Sequence, residues 1–293
     1  MFAGALTAIV TPFRDDKLDE KALRAIVAEQ IEGGIDGLVP SGTTGEGGSL
    51  SHDEYARLLS IVVEEARGRV PVIAGAGTLS TAHTIELART AQKLKVDGLL
   101  IVVPYYYRPS QEGLYAHFAA VAKAVPLPIV LYNIPGRCGV DLSLATLERL
   151  AAVESIVAIK ESTGTVQRSA DIATRFGDRF TILSGDDSLT LPIMAVGGHG
   201  VISTTANVAP REVSKQVDLF NAGDLAGARA QHQKLAPLYE ALFLESNPGP
   251  VKWAMGLRGI MAPEIRLPFV APTEATQQRI RAALNLVNSA GVR

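Results

Sequence analysis

Ile156-Val157-Ala158-Ile159-Lys160-Glu161-Ser162-Thr163 opens as an unbroken apolar run and then arrives at a lysine. A strand with one wet face alternates apolar and polar residues; a run that does not alternate is buried on both faces and belongs to a parallel sheet covered by helices. Seven more runs share this character, at 5–13, 37–44, 71–77, 98–106, 128–135, 180–187 and 200–207. Between them, 19–32, 51–66, 80–94, 111–124 and 143–150 place apolar residues three to four apart, the period of a helix with one buried face. Ser51, Ser80 and Ser110 stand where N-caps belong, and Ser51-His52-Asp53-Glu54 fits a capping box.

Eight βα units predict an α/β protein of the closed (β/α)8 type, a TIM barrel. A doubly wound sheet would have fewer strands and a Gly-rich phosphate loop after the first. Beyond Pro210 the strand signals stop, and helical spacing follows over 211–222, 225–244, 250–259 and 273–289. We therefore expect a catalytic barrel in 1–224 and a C-terminal helical extension in 225–293, packed beside it.

Composition narrows the classes of function. The chain has 293 residues, 47% of them hydrophobic, enough to fill a large core, and a formal net charge of −2. That charge points neither to nucleic acid nor to an anionic membrane surface. No uncharged stretch reaches the length of a membrane span, and the apolar N-terminus lacks the basic start and small-residue cleavage site of a signal peptide. A single cysteine, Cys138, cannot form an intramolecular disulfide, so a reducing, cytoplasmic setting is expected.

In this architecture reactive groups lie at the C-terminal ends of strands. The second run ends in Ser41-Gly42-Thr43-Thr44-Gly45-Glu46, the fourth in Tyr105-Tyr106-Tyr107, the fifth in Tyr132-Asn133-Ile134-Pro135-Gly136-Arg137 and the seventh in Ser184-Gly185-Asp186-Asp187. All would face one mouth, together with Lys160. Desolvation there, with a nearby cation such as Arg137, would favour the neutral amine, the form that attacks a carbonyl carbon. An ion pair with Glu161, or a solvated lysine at the rim, explains the same residue equally well. Tyr132, Thr43 and Tyr106 end separate strands and are able to relay protons without a fixed charge, although any one of them is as readily a packed side chain. Arg137 follows a rigid Pro-Gly turn that suits bidentate carboxylate binding, and the amides of Thr43 and Thr44 suit a second carboxylate.

Other chemistries find no support. The histidines at 52, 83, 117, 199 and 232 lack metal-ligand spacing, so no zinc site is expected. There is no complete dinucleotide fingerprint, Walker loop or Gly-x-Ser-x-Gly elbow, and no cofactor is expected. Gly197-Gly198-His199-Gly200 precedes a strand rather than a helix and reads as a turn.

Gly42-Thr43-Thr44-Gly45-Glu46, Pro104-Tyr105-Tyr106 before Arg108-Pro109, Tyr132 to Arg137 and Ile159-Lys160-Glu161 together resemble the dihydrodipicolinate synthase and N-acetylneuraminate lyase family over essentially the whole chain. Gly185-Asp186-Asp187, Gly198 to Ser203 and Asn247-Pro248 through Lys252-Trp253 extend the likeness, and the paired threonines with Arg137 favour its synthase branch. The resemblance implies condensation of pyruvate with aspartate 4-semialdehyde on the way to diaminopimelate and lysine. It implies a Schiff base on Lys160, and proton transfer by Tyr132 through Thr43 to a Tyr106 from the neighbouring subunit. Thr44 would hold the pyruvate carboxylate and Arg137 that of the semialdehyde, with Gly185 and Ile202 contributing backbone groups near the imine. It also implies a homotetramer built of two tight dimers. A lyase of the same superfamily acting on a sugar-derived 2-oxo acid, and a non-catalytic binding paralogue, remain the alternatives.

Lysine-sensitive members of that family bind the end product at the tight dimer interface. By resemblance the corresponding positions here are His52, Tyr55, Leu79, His83 and Tyr105, beside Gly47 and Gly48. His52 and Tyr105 match the family pattern, whereas Tyr55 stands for a histidine, Leu79 for an asparagine and His83 for the glutamate that pairs with the ligand ammonium. Weak or absent feedback inhibition is expected.

Overall fold

The computed structural model describes residues 2–289. Eight parallel strands form the barrel wall: β1 Gly4–Ala8, β2 Gly37–Val39, β3 Ile73–Gly75, β4 Gly98–Val102, β5 Ile129–Asn133, β6 Ile156–Glu161, β7 Thr181–Ser184 and β8 Gly200–Ser203. Hydrogen bonding runs in the order β2-β1-β8-β7-β6-β5-β4-β3. The circuit is completed between β2 and β3 by a single bridge, Leu38↔Val72, flanked by Leu38 N to Pro71 O and Gly75 N to Pro40 O, both 2.9 Å. Gly75 permits this approach, since a methyl group there would stand 2.3 Å from the Ser41 carbonyl oxygen.

Side chains alternate across this wall in a period of two. Leu6, Val39, Ile73, Leu100, Val130, Ala158, Leu183 and Ile202 point inward and form a closed apolar plug with Phe2, Ala8 and Tyr132. Their neighbours point outward into a second, larger core shared with the helices. Lys160 follows Ala158 by two residues and therefore stands on the inner face, just above the plug.

Each strand is followed by a helix: α1 Glu20–Glu32, α2 His52–Ala66, α3 Thr81–Lys93, α4 Gln111–Ala124, α5 Leu144–Leu150, α6 Val166–Phe176, α7 Thr190–Ala195 and α8 Pro210–Asn221. Ser51, Ser80 and Ser110 cap α2, α3 and α4, and the box between Ser51 and Glu54 is closed in both directions. Three further helices follow: α9 Leu225–Ala241, α10 Gly249–Leu257 and α11 Glu274–Ser289. α9 packs along α8 and α11, with the Tyr239 hydroxyl donating to Gln216 Oε1 at 2.7 Å in the buried contact. The segment after α9 then turns back over the barrel mouth.

The strands are shorter than their apolar runs, and the difference lies at their C-terminal ends. Past the ends of the ladders, Ser41 to Thr44, Tyr105, Gly185 and Asp186 line the cavities of the mouth. A short hairpin, Phe13–Arg14 against Lys17–Leu18, follows β1, with Asp15 and Asp16 at positive φ in its turn. Among the described residues no helix is long and apolar enough to cross a membrane.

Candidate active site

Register places the central pair of the site. Tyr132 on β5 is directly opposite Lys160 on β6, so both side chains rise from the inner face at the same height. The Lys160 Nζ lies 4.3 Å from the Tyr132 ring centroid, and the two residues are each 6% exposed. Glu161, next in sequence, points to the other side of the strand. There Asn133, Thr163 and Arg168 engage its carboxyl, which burial pushes above the usual carboxylate range. The lysine and glutamate thus belong to different surroundings, and the ion-pair account of Lys160 fails for this neighbour.

A cavity of about 140 Å³ opens over Lys160 and is lined by Thr43, Thr44, Tyr132, Arg137, Gly185, Asp186, Thr204 and Asn247, among others. Thr44 is the most firmly held of these. Asn247 Nδ2 donates to its Oγ1 at 2.9 Å, and the Thr204 hydroxyl is 3.3 Å away. Arg137 sits in a single helical turn, Pro135–Cys138, and its Nη2 donates to the Asn247 carbonyl at 3.4 Å, leaving the exposed guanidinium over the mouth. Gly185 touches the lysine stem closely: a methyl group there would stand 2.9 Å from Lys160 Cε and 1.8 Å from Ser162 Oγ. Ile202 belongs to the plug beneath and not to the cavity lining.

The two aspartates after Gly185 differ in kind. Asp187 is buried beneath the β8 turn, where its Oδ2 accepts from Thr204 N, Thr205 N and Thr205 Oγ1 at 2.9–3.1 Å. Asp186 is half-buried and faces the cavity; burial raises its carboxyl while the Lys160 charge lowers it, with a net upward shift.

Tyr106 stands apart. It is 80% exposed, at φ 69°, and lines neither this cavity nor the next one. Within one chain, therefore, Lys160, Tyr132, Thr43, Thr44, Arg137 and Gly185 converge, while Tyr106 points away.

A larger cavity of about 630 Å³ adjoins the first, sharing Thr43, Tyr132 and Arg137 with it. His52, Tyr55, Leu79, His83 and Tyr105 all line it, with Gly47 and Gly48. Burial raises the Tyr55 and Tyr105 hydroxyls, and the Tyr55 hydroxyl has no hydrogen-bond partner. The single carboxylate in the lining, Glu46, is already paired with the buried ammonium of Lys252. Cys138 lies at its edge, its thiol pushed up to about 11 by burial. Among the described residues no group of three His, Cys, Asp or Glu side chains is arranged to hold a metal.

Asn247, Thr204, Asp186 and Phe243 line the small cavity without a role assigned from sequence. Asn247 and Phe243 come from beyond the barrel, and only the return of the chain after α9 brings them there. Asp186 carried a usable signal, an acid at a strand end beside a glycine.

The family model described as the Dihydrodipicolinate synthetase family matches residues 1–287. The 4-hydroxy-tetrahydrodipicolinate synthase of Sorangium cellulosum is 54% identical over 285 residues, covering 96% of this chain and 95% of that one. The enzyme of the same name from Pelobacter propionicus is 50% identical over 284 residues, covering 97% and 98%. The solved 4-hydroxy-tetrahydrodipicolinate synthase of Methylacidiphilum fumariolicum SolV superposes with a TM-score of 0.97 at 44% identity, over 99% of this chain and 97% of that one. The barrel, the lysine in its mouth and likeness along nearly the full length agree, and the chain belongs to the dihydrodipicolinate synthetase family.

Proposed function

We propose that the chain is a lyase that condenses pyruvate with aspartate 4-semialdehyde through a Schiff base on Lys160, the 4-hydroxy-tetrahydrodipicolinate synthase reaction. The observation that carries this reading is the position of the Lys160 amine. It is buried at the floor of a small cavity, on the ring of Tyr132 and below Thr44 and Arg137.

Lys160 attacks the keto carbon of pyruvate and water leaves, giving an iminium that draws electrons from the adjacent methyl group. Loss of a methyl proton yields an enamine, which attacks the aldehyde carbon. Thr44 is suited to the pyruvate carboxylate because its Oγ1 already accepts from Asn247, so its own hydrogen is available to donate. Arg137 offers a planar fork to the second carboxylate. Tyr132 and Thr43 pass protons, and Tyr106 completes the relay from a second copy of the chain. This requires at least a dimer, within a tetramer of two tight dimers. The outward direction and exposure of Tyr106 support that arrangement.

Incubation with pyruvate followed by borohydride should leave a reduced adduct on Lys160 in the wild-type protein and none in Lys160→Ala. Absence of the adduct at saturating pyruvate, or undiminished turnover by Lys160→Ala, would overturn the proposal.

A further inference from the structure

We propose that Asp186 recognises the ammonium group of the aldehyde substrate and takes the proton that group must lose before the ring closes. This rests on the condensation proposed above and assigns a group that the reaction needs.

Three charged residues line the small cavity: Lys160, Arg137 and Asp186. Pyruvate brings one negative charge and uses Lys160 as its covalent anchor. Aspartate 4-semialdehyde brings a carboxylate and an ammonium. Arg137 complements the first, and within the lining only Asp186 complements the second. Asp187 is no substitute, because its Oδ2 is occupied by three donors from residues 204 and 205 and it is buried away from the mouth.

The backbone holds Asp186 in place. Ser184 Oγ donates to the Asp186 carbonyl at 2.7 Å and accepts from the Asp186 N–H at 3.2 Å, a closed local loop that fixes the residue at φ −113°, ψ 115°. Gly185, between them, packs on the lysine stem. Asp186 thus directly follows the residue that packs on the lysine, the Lys160 charge acts on its carboxylate, and its raised affinity for a proton suits it to receive one.

After the carbon–carbon bond has formed, the product is still an iminium on Lys160 and carries the ammonium. Asp186 accepts one ammonium proton. The freed lone pair forms the carbon–nitrogen bond to the imine carbon, and the C=N electron pair returns to the lysine nitrogen. A proton passes from the ring nitrogen to the lysine nitrogen. That older C–N bond then breaks, the ring nitrogen's pair forms the new C=N bond, and Lys160 leaves as a free amine. The proton on Asp186 goes to solvent with product release.

The test is Asp186→Asn, a change of charge with little change of shape, assayed with aspartate 4-semialdehyde and with succinic semialdehyde, which has the same chain without the amine. A charge-assisted hydrogen bond of ordinary strength corresponds to an affinity change of about ten- to a hundredfold. KM for aspartate 4-semialdehyde should rise by about that factor and kcat should fall. The inhibition constant of succinic semialdehyde should change less than about twofold, and the pyruvate–borohydride adduct should form as in wild type. Asp186→Glu should recover part of the loss. Equal weakening toward both aldehydes, or an unchanged KM for the amine-bearing one, overturns the assignment. Failure of the wild-type protein to form the adduct overturns the condensation reading itself, and this assignment with it.

Discussion

Replacing Lys252 by methionine tests whether the loop carrying Thr43 and Thr44 is held by a buried charge pair. Lys252 and Glu46 are 1% and 0% exposed at their side chains, and the ammonium is hydrogen-bonded to Glu46 Oε1 and lies 4.4 Å from the Phe13 ring centroid. Burial lowers the proton affinity of Lys252, and the Glu46 charge opposes that shift. Glu46 Oε2 accepts from Arg266 N at 3.0 Å, so the carboxylate retains one donor when the lysine is gone. Removing one member of such a pair leaves a buried, uncompensated charge, at about 3–5 kcal/mol. Replacing both members with neutral groups is often close to neutral. Lys252→Met should therefore lose about 3–5 kcal/mol, and Lys252→Met combined with Glu46→Gln should regain at least about half of it. Urea denaturation followed by the fluorescence of Trp253, the only tryptophan and the next residue in sequence, measures both. The reasoning is refuted if the single variant stays within about 1 kcal/mol of wild type, or if the two losses simply add.

Three further outcomes are expected. Gly185→Ala should lower kcat by about a hundredfold through displacement of Lys160, and added Ser162→Ala should restore part of it by removing the hydroxyl 1.8 Å from the new methyl group; wild-type turnover by the single variant would contradict the packing argument. His117 is buried, with Nε2 unpartnered and Nδ1 2.9 Å from Thr81 Oγ1, and burial brings its pKa down from 6.5 to about 4. Because the folded value lies below the unfolded one, this contribution is complete above pH 6.5 and is lost as pH falls toward 4, at about 1.4 kcal/mol per unit. The stability of His117→Gln should fall less steeply across that window, and parallel curves would exclude the histidine as the cause. Calorimetry with lysine should show no micromolar binding, since the larger cavity offers the ligand ammonium no carboxylate that is free of Lys252; a micromolar isotherm would reverse that conclusion.

Much of the barrel was legible because its strands are buried on both faces and read as continuous apolar runs, Ile156 to Ile159 most plainly. The helices at 166–176 and 190–195 lie outside the spans read as helical from the sequence. The first does carry the helical spacing, at Val166, Ala170, Ala173 and Phe176, and was open to the same reading as the others; the second is only six residues long. Lys160 and Tyr132 stood out in the sequence because polar groups at the ends of such runs need a reason to be there. Asn247 and Phe243 gave no comparable sign, since their place over the mouth depends on how the segment between α9 and α10 crosses the barrel. Tyr106 could be singled out by its neighbours in sequence, but its direction is a property of the folded loop.

The joint between β2 and β3 has a consequence for how the site breathes. Six of the eight joints between neighbouring strands are ladders of three to five pairs, whereas this seam and the β7–β8 joint have a single pair each, and here the chain leaves at Ser41 with a strained φ of 58°. Thr43 and Thr44 hang directly from that seam. Thermal parting of the wall at this seam would loosen the keto-acid end of the pocket while the β5–β6 side, joined by five pairs and carrying the lysine and its tyrosine, stayed rigid.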